Sequence, residues 1–241
     1  AAIIAVSDGM RADVLAAYPD VDPKKVVTIR NGVDTSKFAP NNNPAVLEEF
    51  GITGRYAMFV GRITRQKGLA HLLRAWKSVP AEYGLVLAAG SPDEETVGNE
   101  VAALIAELQA TRSNVWWIKE MLPHDKLTAA LTQADLFLCP SIYEPLGIVN
   151  LEAMGCETAV LASRVGGIPE VVSHQETGIL VDYTPDHSRF EADLTAAISE
   201  LMADPARLEK YGKAGRVRAE THFGWDAVAQ QTISLYRSVI S

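Results

Sequence analysis

Glu144 and Glu152 stand with seven residues between them, bracketing Pro145-Leu146-Gly147-Ile148-Val149-Asn150-Leu151. A carboxylate is a good acceptor for hydroxyl donors and a poor neighbour for phosphate. If a helix opens near Ile148, the backbone N–H groups of Leu146, Gly147 and Ile148 sit at its N-terminus, where unpaired amides and the helix dipole favour an anion. Gly147 removes a side chain where a ligand would approach the backbone. At 1.5 Å of rise per residue the two carboxylates are at most about 12 Å apart. A diphosphate with a sugar on one side and a ribose on the other has that span. The pattern therefore suits a site in which each Glu grips hydroxyls and the amides hold phosphate. Taken singly, Glu152 also fits an ordinary helix carboxylate, and Glu144 a loop acceptor.

A second stretch, Gly61-Arg62-Ile63-Thr64-Arg65-Gln66-Lys67-Gly68, sets three cations between bracketing glycines. Arg forks two oxygens and Lys acts as a point charge, so Arg62 and Lys67 suit a diphosphate. A solvated basic loop has the same composition. A third, Val165-Gly166-Gly167-Ile168-Pro169-Glu170, could present backbone amides to a ligand or make a tight turn. His71, His124, His174, His187 and His222 are scattered. No Ser/His/Asp set, no Cys/His ligand cluster and no carboxylate group suited to Mg²⁺ is evident, so neither a metal nor a cofactor is expected.

These stretches need elements to position them. Apolar runs at 56–60, 85–89, 115–118, 136–139, 158–162 and 178–181 alternate with helical spacing at 69–79, 97–108, 124–134 and 148–154. The first two runs end at Gly61 and Gly90. Continuous apolar strands separated by helices predict a parallel sheet covered on both faces, a doubly wound α/β fold of Rossmann-like type. Ligands in such a sheet bind beyond the carboxyl ends of the strands, and all three stretches directly follow a strand. Helices at about 189–202, 205–219 and 225–240 close the chain, with Asp204 capping and Pro205 in the first turn. Residues 1–54 fit the alternation less well: a strand at 3–6, Ser7 as N-cap of a helix over 8–18, a strand at 26–29, an Asn31-Gly32 turn and a linker at 40–44.

The 241 residues are 48% hydrophobic, enough for a large core. The formal net charge of −8 argues against a nucleic-acid partner or an anionic membrane surface. Cys139 and Cys156 lie in apolar segments and read as reduced core thiols, which suits the cytoplasm. No uncharged apolar run is long enough to span a membrane. The opening Ala1-Ala2-Ile3-Ile4 has no basic region and does not read as a signal peptide. It also lacks an initiator Met, and the chain is expected to be a piece of something longer.

Taken together, Gly61-Arg62 with Gln66-Lys67-Gly68, the run from Pro140 to Ala153, and Gly166-Gly167-Ile168-Pro169-Glu170 resemble glycosyltransferase family 4. The Glu144/Glu152 pair resembles that family's EX7E motif, Ile29 to Asp34 its interdomain segment, and Phe223-Gly224-Trp225 with the final helix its tail. The strings around Cys139 and Cys156 look most like a bacterial glycogen synthase. One departure is Glu157-Thr158-Ala159, which lacks the Pro often found before the fifth strand.

The resemblance implies the GT-B fold, with this chain as the C-terminal, donor-binding domain. Residues 1–54 would be the interdomain connection and a residual segment of the absent N-terminal domain. Residues 55–222 would bind the nucleotide sugar, and 223–241 would cross back to the absent domain. It further implies Arg62 and Lys67 on the diphosphate with Gly61 beside them, Glu144 on the donor sugar and Glu152 on the ribose. The amides of Leu146, Gly147 and Ile148 would meet phosphate or sugar, and Met121 would pack the base. The implied reaction moves glucose, with retention, from a nucleoside diphosphate (ADP-glucose favoured over UDP-glucose) to an α-1,4-glucan. Rival readings are a sucrose- or lipid-directed transferase, a nucleotide-sugar epimerase and a non-catalytic nucleotide-sugar-binding module. A dinucleotide oxidoreductase needs a GxGxxG string that the chain lacks.

Overall fold

A computed structural model describes residues 1–240. The chain opens with a small unit: strand β1 (Ile3–Ala5), helix α1 (Asp8–Ala17) and strand β2 (Val26–Thr28), with β1 and β2 paired in parallel. Helix α2 (Ala45–Phe50) follows. The main body then alternates: β3 (Tyr56–Ile63), α3 (Leu69–Trp76), β4 (Gly84–Pro92), α4 (Glu95–Thr111), β5 (Val115–Ile118), α5 (His124–Gln133), β6 (Leu136–Cys139), α6 (Ile148–Gly155), β7 (Ala159–Ser163), α7 (Ile168–Val171) and β8 (Gly178–Val181). Helices α8 (His187–Met202), α9 (Pro205–His222) and α10 (Trp225–Ile240) complete it.

The six strands pair in parallel in the order β5-β4-β3-β6-β7-β8. From β3 the chain winds outward to β5, then returns to lay β6 on the other side of β3. The crevice between the carboxyl ends of β3 and β6 is thus the topological switch point, where such sheets bind ligands. Both faces of the sheet are covered, as the unbroken apolar runs require. Leu85 and Leu87 of β4 join one core with Leu72, Trp76, Phe190 and Leu194. Val86, between them, points the other way, into a core with Met58, Phe137, Leu151 and Met154. Each such fully buried side chain contributes about 1.5–3 kcal/mol relative to exposure. Asp204 caps α9 by accepting from the Arg207 amide, with Pro205 in its first turn.

The main differences from the sequence reading lie at boundaries and in short elements. β3 does not stop at Gly61: its pairing with β4 continues through Gly61↔Ala89 and, after an irregularity, Ile63↔Pro92. Arg62 therefore projects from a strand end rather than a free loop. Helices α2 and α7, six and four residues long, were too short to show a period. Glu157, at the departure noted before β7, takes a left-handed φ of 62°, and the strand forms from Ala159.

Helix α10 buries none of its residues. It runs beside β2, leaving a cleft of about 590 Å³ lined by Val27, Ile29, Ala227 and Gln231, away from the switch point. Val33 donates its amide to Phe223 O at 2.8 Å, tying the start of this helix to the connection after β2. Among the described residues no helix is long and apolar enough to cross a membrane.

Candidate functional site

The loop after β3 is built by one polar and one glycine residue. Thr64 sits in extended conformation and its hydroxyl accepts from the Lys67 amide, closing a single tight turn over Arg65–Lys67. Gly68 ends that turn with φ of +66°, and a side chain there would run into Pro140 O, at the end of β6. Glycine thereby lets the two loops lie against each other, and Ile142 donates its amide to Gln66 O at 2.9 Å.

That contact brings Lys67 to Glu144. Lys67 Nζ lies 2.6 Å from Glu144 Oε2, with the two side chains only 18% and 10% exposed. Charges so enclosed persist only when paired. The buried Ser141 hydroxyl donates to the same carboxylate oxygen at 3.3 Å and lies 3.5 Å from the Cys139 thiol.

Gly147 begins α6 in left-handed conformation, φ +92°, and no side chain caps the helix. A side chain at this position would meet Asn150 Nδ2 at 2.6 Å and Ile168 at 3.3 Å. The amides of Leu146, Gly147 and Ile148 have no hydrogen-bond partner among the described residues. Asn150, fully buried beneath this turn, has no partner for its side-chain amide beyond a weak interaction with the Cys139 thiol. Unmet polar groups in so enclosed a place cost about 1–3 kcal/mol each. Further along α6, burial pushes the Glu152 carboxyl up to about 7, and the charge of Lys67 pulls it the other way. Lys67 thus touches Glu144 and acts on Glu152 through its field. Burial also raises both thiols, Cys156 to about 12, which leaves them unreactive.

Gly61 carries the line of the site toward the other side: a side chain on it would lie 3.3 Å from the Phe59 ring and 3.9 Å from Lys67 Cδ. Beyond it opens a cavity of about 480 Å³ lined by Val60, Arg62, Lys119, Met121, Leu122 and Leu127. Met121 stands 95% exposed on its rim. Arg62 is held by an acid that follows β4, with Nη1 2.7 Å from Asp93 Oδ2, and Arg65 lies 3.7 Å from Glu94.

Of the residues singled out by sequence, Lys67, Glu144, Gly147 and Glu152 form one cluster, with Gly61 adjoining. Arg62 and Met121 line the neighbouring cavity, Leu146 is buried with its amide unpaired, and Ile148 is exposed at the head of α6. Gly166 and Gly167 act by packing: side chains on them would run into Glu144 O and Pro145 O, and the Gly167 amide donates to Glu144 O at 2.9 Å. Sequence reasoning passed over Ser141, Asn150 and Asp93. Asn150 lies between Glu144 and Glu152 and Ser141 just before them, and Asp93 follows β4 as Arg62 follows the core of β3; that shared position at strand ends was the available signal. His71 pairs with Glu191 at 2.8 Å, away from the cluster.

Residues 48–218 match the family model of glycosyl transferases group 1. The chain is 49% identical over 244 residues to an alpha-maltose-1-phosphate synthase of Mycolicibacterium smegmatis, covering 99% of this chain and 63% of that protein. It is 34% identical over 250 residues to a D-inositol 3-phosphate glycosyltransferase of Segniliparus rotundus, covering 99% and 54%. The chain thus spans less than two thirds of the length of these relatives. Among solved structures, a sucrose-phosphate synthase from Thermosynechococcus elongatus superposes with a TM-score of 0.83 at 30% identity, over 99% of this chain and 58% of that one. Anabaena HepE in complex with UDP-glucose has the same fold, with a TM-score of 0.86 at 21% identity over 98% and 64%.

Proposed function

Because the chain belongs to the glycosyl transferases group 1 family, we propose that it is the nucleotide-sugar-binding part of a retaining glucosyltransferase. One observation carries this reading: Lys67 joins Glu144 and faces Glu152 at the switch point, beside an open helix end. The diphosphate of the donor lies against Lys67, Arg62 and the amides of Leu146, Gly147 and Ile148. Glu144 takes hydroxyls of the sugar and Glu152 those of the ribose. The base enters the cavity between Gly61, Leu122 and Met121.

Charge grows on the leaving diphosphate as the glycosidic bond breaks. Fixed cations and amides already aimed at that position stabilise the transition state more than the bound donor, which is how such a site accelerates transfer. When the donor binds, Lys67 exchanges Glu144 for phosphate oxygens, and the freed carboxylate turns to the sugar.

Residues 55–222 form the donor-binding unit; residues 1–54 connect it to, and 223–241 cross back onto, a further domain that supplies the acceptor site. The acceptor is a small phosphorylated sugar in preference to a glucan chain. Support comes from the 49% identical relative, whose name gives a maltose phosphate as product, and from a 34% identical relative named for a phosphorylated inositol. ADP-glucose is the favoured donor.

Calorimetric titration of this chain with ADP-glucose, UDP-glucose and NAD tests the donor reading. Binding of one nucleotide sugar and not NAD is expected; binding of NAD, or of none in a folded sample, overturns it. Assay of a chain carrying the further domain, with glucose 1-phosphate and with an α-1,4-glucan, then tests the acceptor. Glucosyl transfer to the glucan alone would overturn the phosphorylated-sugar reading.

A further inference from the structure

We propose that Ser7, ahead of α1, is a positioning residue for the turn that carries Glu144. The proposal rests on the nucleotide-sugar reading of that turn and adds a residue from outside the six-stranded sheet. Ser7 is fully buried. Its hydroxyl donates to Pro145 O at 2.5 Å and accepts from the Met10 amide at 2.9 Å. One hydroxyl therefore caps α1 and fixes the carbonyl next to Glu144, across 138 positions of sequence.

The surrounding backbone leaves this alignment little freedom. A side chain on Gly167 would meet Ser7 Cβ at 2.7 Å and Leu146 Cα at 2.8 Å, and one on Gly9 would meet Gly166 O at 2.8 Å. The first turn of α1, the Glu144–Gly147 turn and the Gly166-Gly167 pair are thus stacked with no side chain between them to give way. Three polar contacts hold the same stack. The Gly9 amide donates to Glu170 Oε1 at 3.1 Å, Arg30 Nε donates to Glu170 Oε2 at 2.7 Å, and the Tyr143 hydroxyl donates to Asp13 Oδ2 at 3.1 Å. The turn is gripped by Lys67 from the β3 side and by Ser7 from the α1 side. Displacing α1 displaces Pro145, and with it the Glu144 carboxylate and the amides that open α6. The stack also gives Gly166-Gly167-Ile168-Pro169-Glu170 its role: two glycines that admit the turn and one acid that ties it to α1.

If Ser7 served only as a helix cap, its loss would lower the melting temperature and leave the ligand affinities of the folded protein unchanged. The experiment is calorimetric titration of Ser7→Ala and of the unaltered chain with the nucleotide sugar that binds and with the matching nucleoside monophosphate, alongside melting curves. The monophosphate reaches Glu152 and not Glu144. Ser7→Ala is expected to weaken the nucleotide sugar by about tenfold, the scale of one well-placed hydrogen bond, with a smaller change for the monophosphate. Gly167→Ala keeps the Ser7 hydroxyl but presses on both sides of its contact, since the added methyl would meet Pro145 O at 2.4 Å and Ser7 Cβ at 2.7 Å. It is expected to give the same selective loss, and it carries the test if Ser7→Ala does not fold. Unchanged nucleotide-sugar affinity in the folded variants, or equal losses for both ligands, overturns the proposal. Failure of the unaltered, folded chain to bind any nucleotide sugar is a different outcome: it removes the donor reading itself, and the role of Ser7 with it.

Discussion

Around the switch point the large side chains are enclosed: Met58, Phe59, Trp76 and Phe137 are at most 2% exposed. By contrast neither α1 nor α10 buries a residue, and Ile3, Ile4, Trp225, Ile233 and Tyr236 stand 40–57% exposed. Both regions are made of well-formed helices and parallel strands, so regular structure does not distinguish them. Packing does. The sheet that carries the cluster of Lys67, Glu144 and Glu152 has a core on each face, whereas β1 and α10 leave apolar side chains in solvent. On the proposed reading, holding a donor and packing on a further domain are tasks of different regions, joined through Ser7 and Arg30.

Substitutions can break or sharpen that contrast. The largest effect is expected at Trp76→Ala, where deleting a fully enclosed indole should cost about 3–5 kcal/mol in denaturant titration. Next, Lys67→Ala should weaken diphosphate binding by roughly 1.5–3 kcal/mol, the scale of charged hydrogen bonds. Arg62→Ala belongs at the low end of that range, since Arg62 is exposed and already paired with Asp93. Unchanged ADP and UDP affinity in both variants would detach the two cations from the phosphate.

Glu152 gives a pH-dependent effect of intermediate size. Burial raises the folded carboxyl from its ordinary value of 4.5 to about 7, so between these limits the folded protein holds a proton that the unfolded chain has lost. Stability then falls as pH rises through this window. Glu152→Gln should leave stability unchanged at pH 4 and raise it by roughly 1–3 kcal/mol at pH 8, read from melting at each pH. A gain that does not depend on pH would contradict this. The smallest effect is expected at Tyr236→Ala, within about 0.5 kcal/mol for an exposed position. A loss there as large as at Trp76 would abolish the contrast.

Much of the enclosed region could be read in the sequence, because a strand covered on both faces must be apolar throughout, as Leu85 to Ala89 and Leu136 to Cys139 are. The end of β3 could not. Polar Arg62 hid the continuation of pairing with β4, which depends on a partner strand about 30 residues away. In the site, the types and order of Lys67, Glu144 and Glu152 showed what chemistry was possible. Their contacts are a matter of tertiary structure: Lys67 meets Glu144 across 77 positions, and Ser7 meets Pro145 across 138. The Gly166-Gly167 pair allowed either ligand-facing amides or close packing, and only the approach of Glu144 O and Pro145 O selects packing.

The Lys67–Glu144 pair has a kinetic consequence. A bare lysine would send its field beyond the cleft and draw in anions of every kind from the crowded solution around it. Here a carboxylate at 2.6 Å cancels that field before it leaves the site, in a chain of net charge −8. Approach of the proposed donor is therefore unassisted by long-range attraction, and because the chain as a whole is negative its association rate should rise, not fall, with ionic strength. Discrimination is deferred to contact. Inorganic phosphate can replace Glu144 on the lysine but leaves the displaced carboxylate with only the Ser141 hydroxyl, whereas a phosphate that brings hydroxyls with it satisfies both.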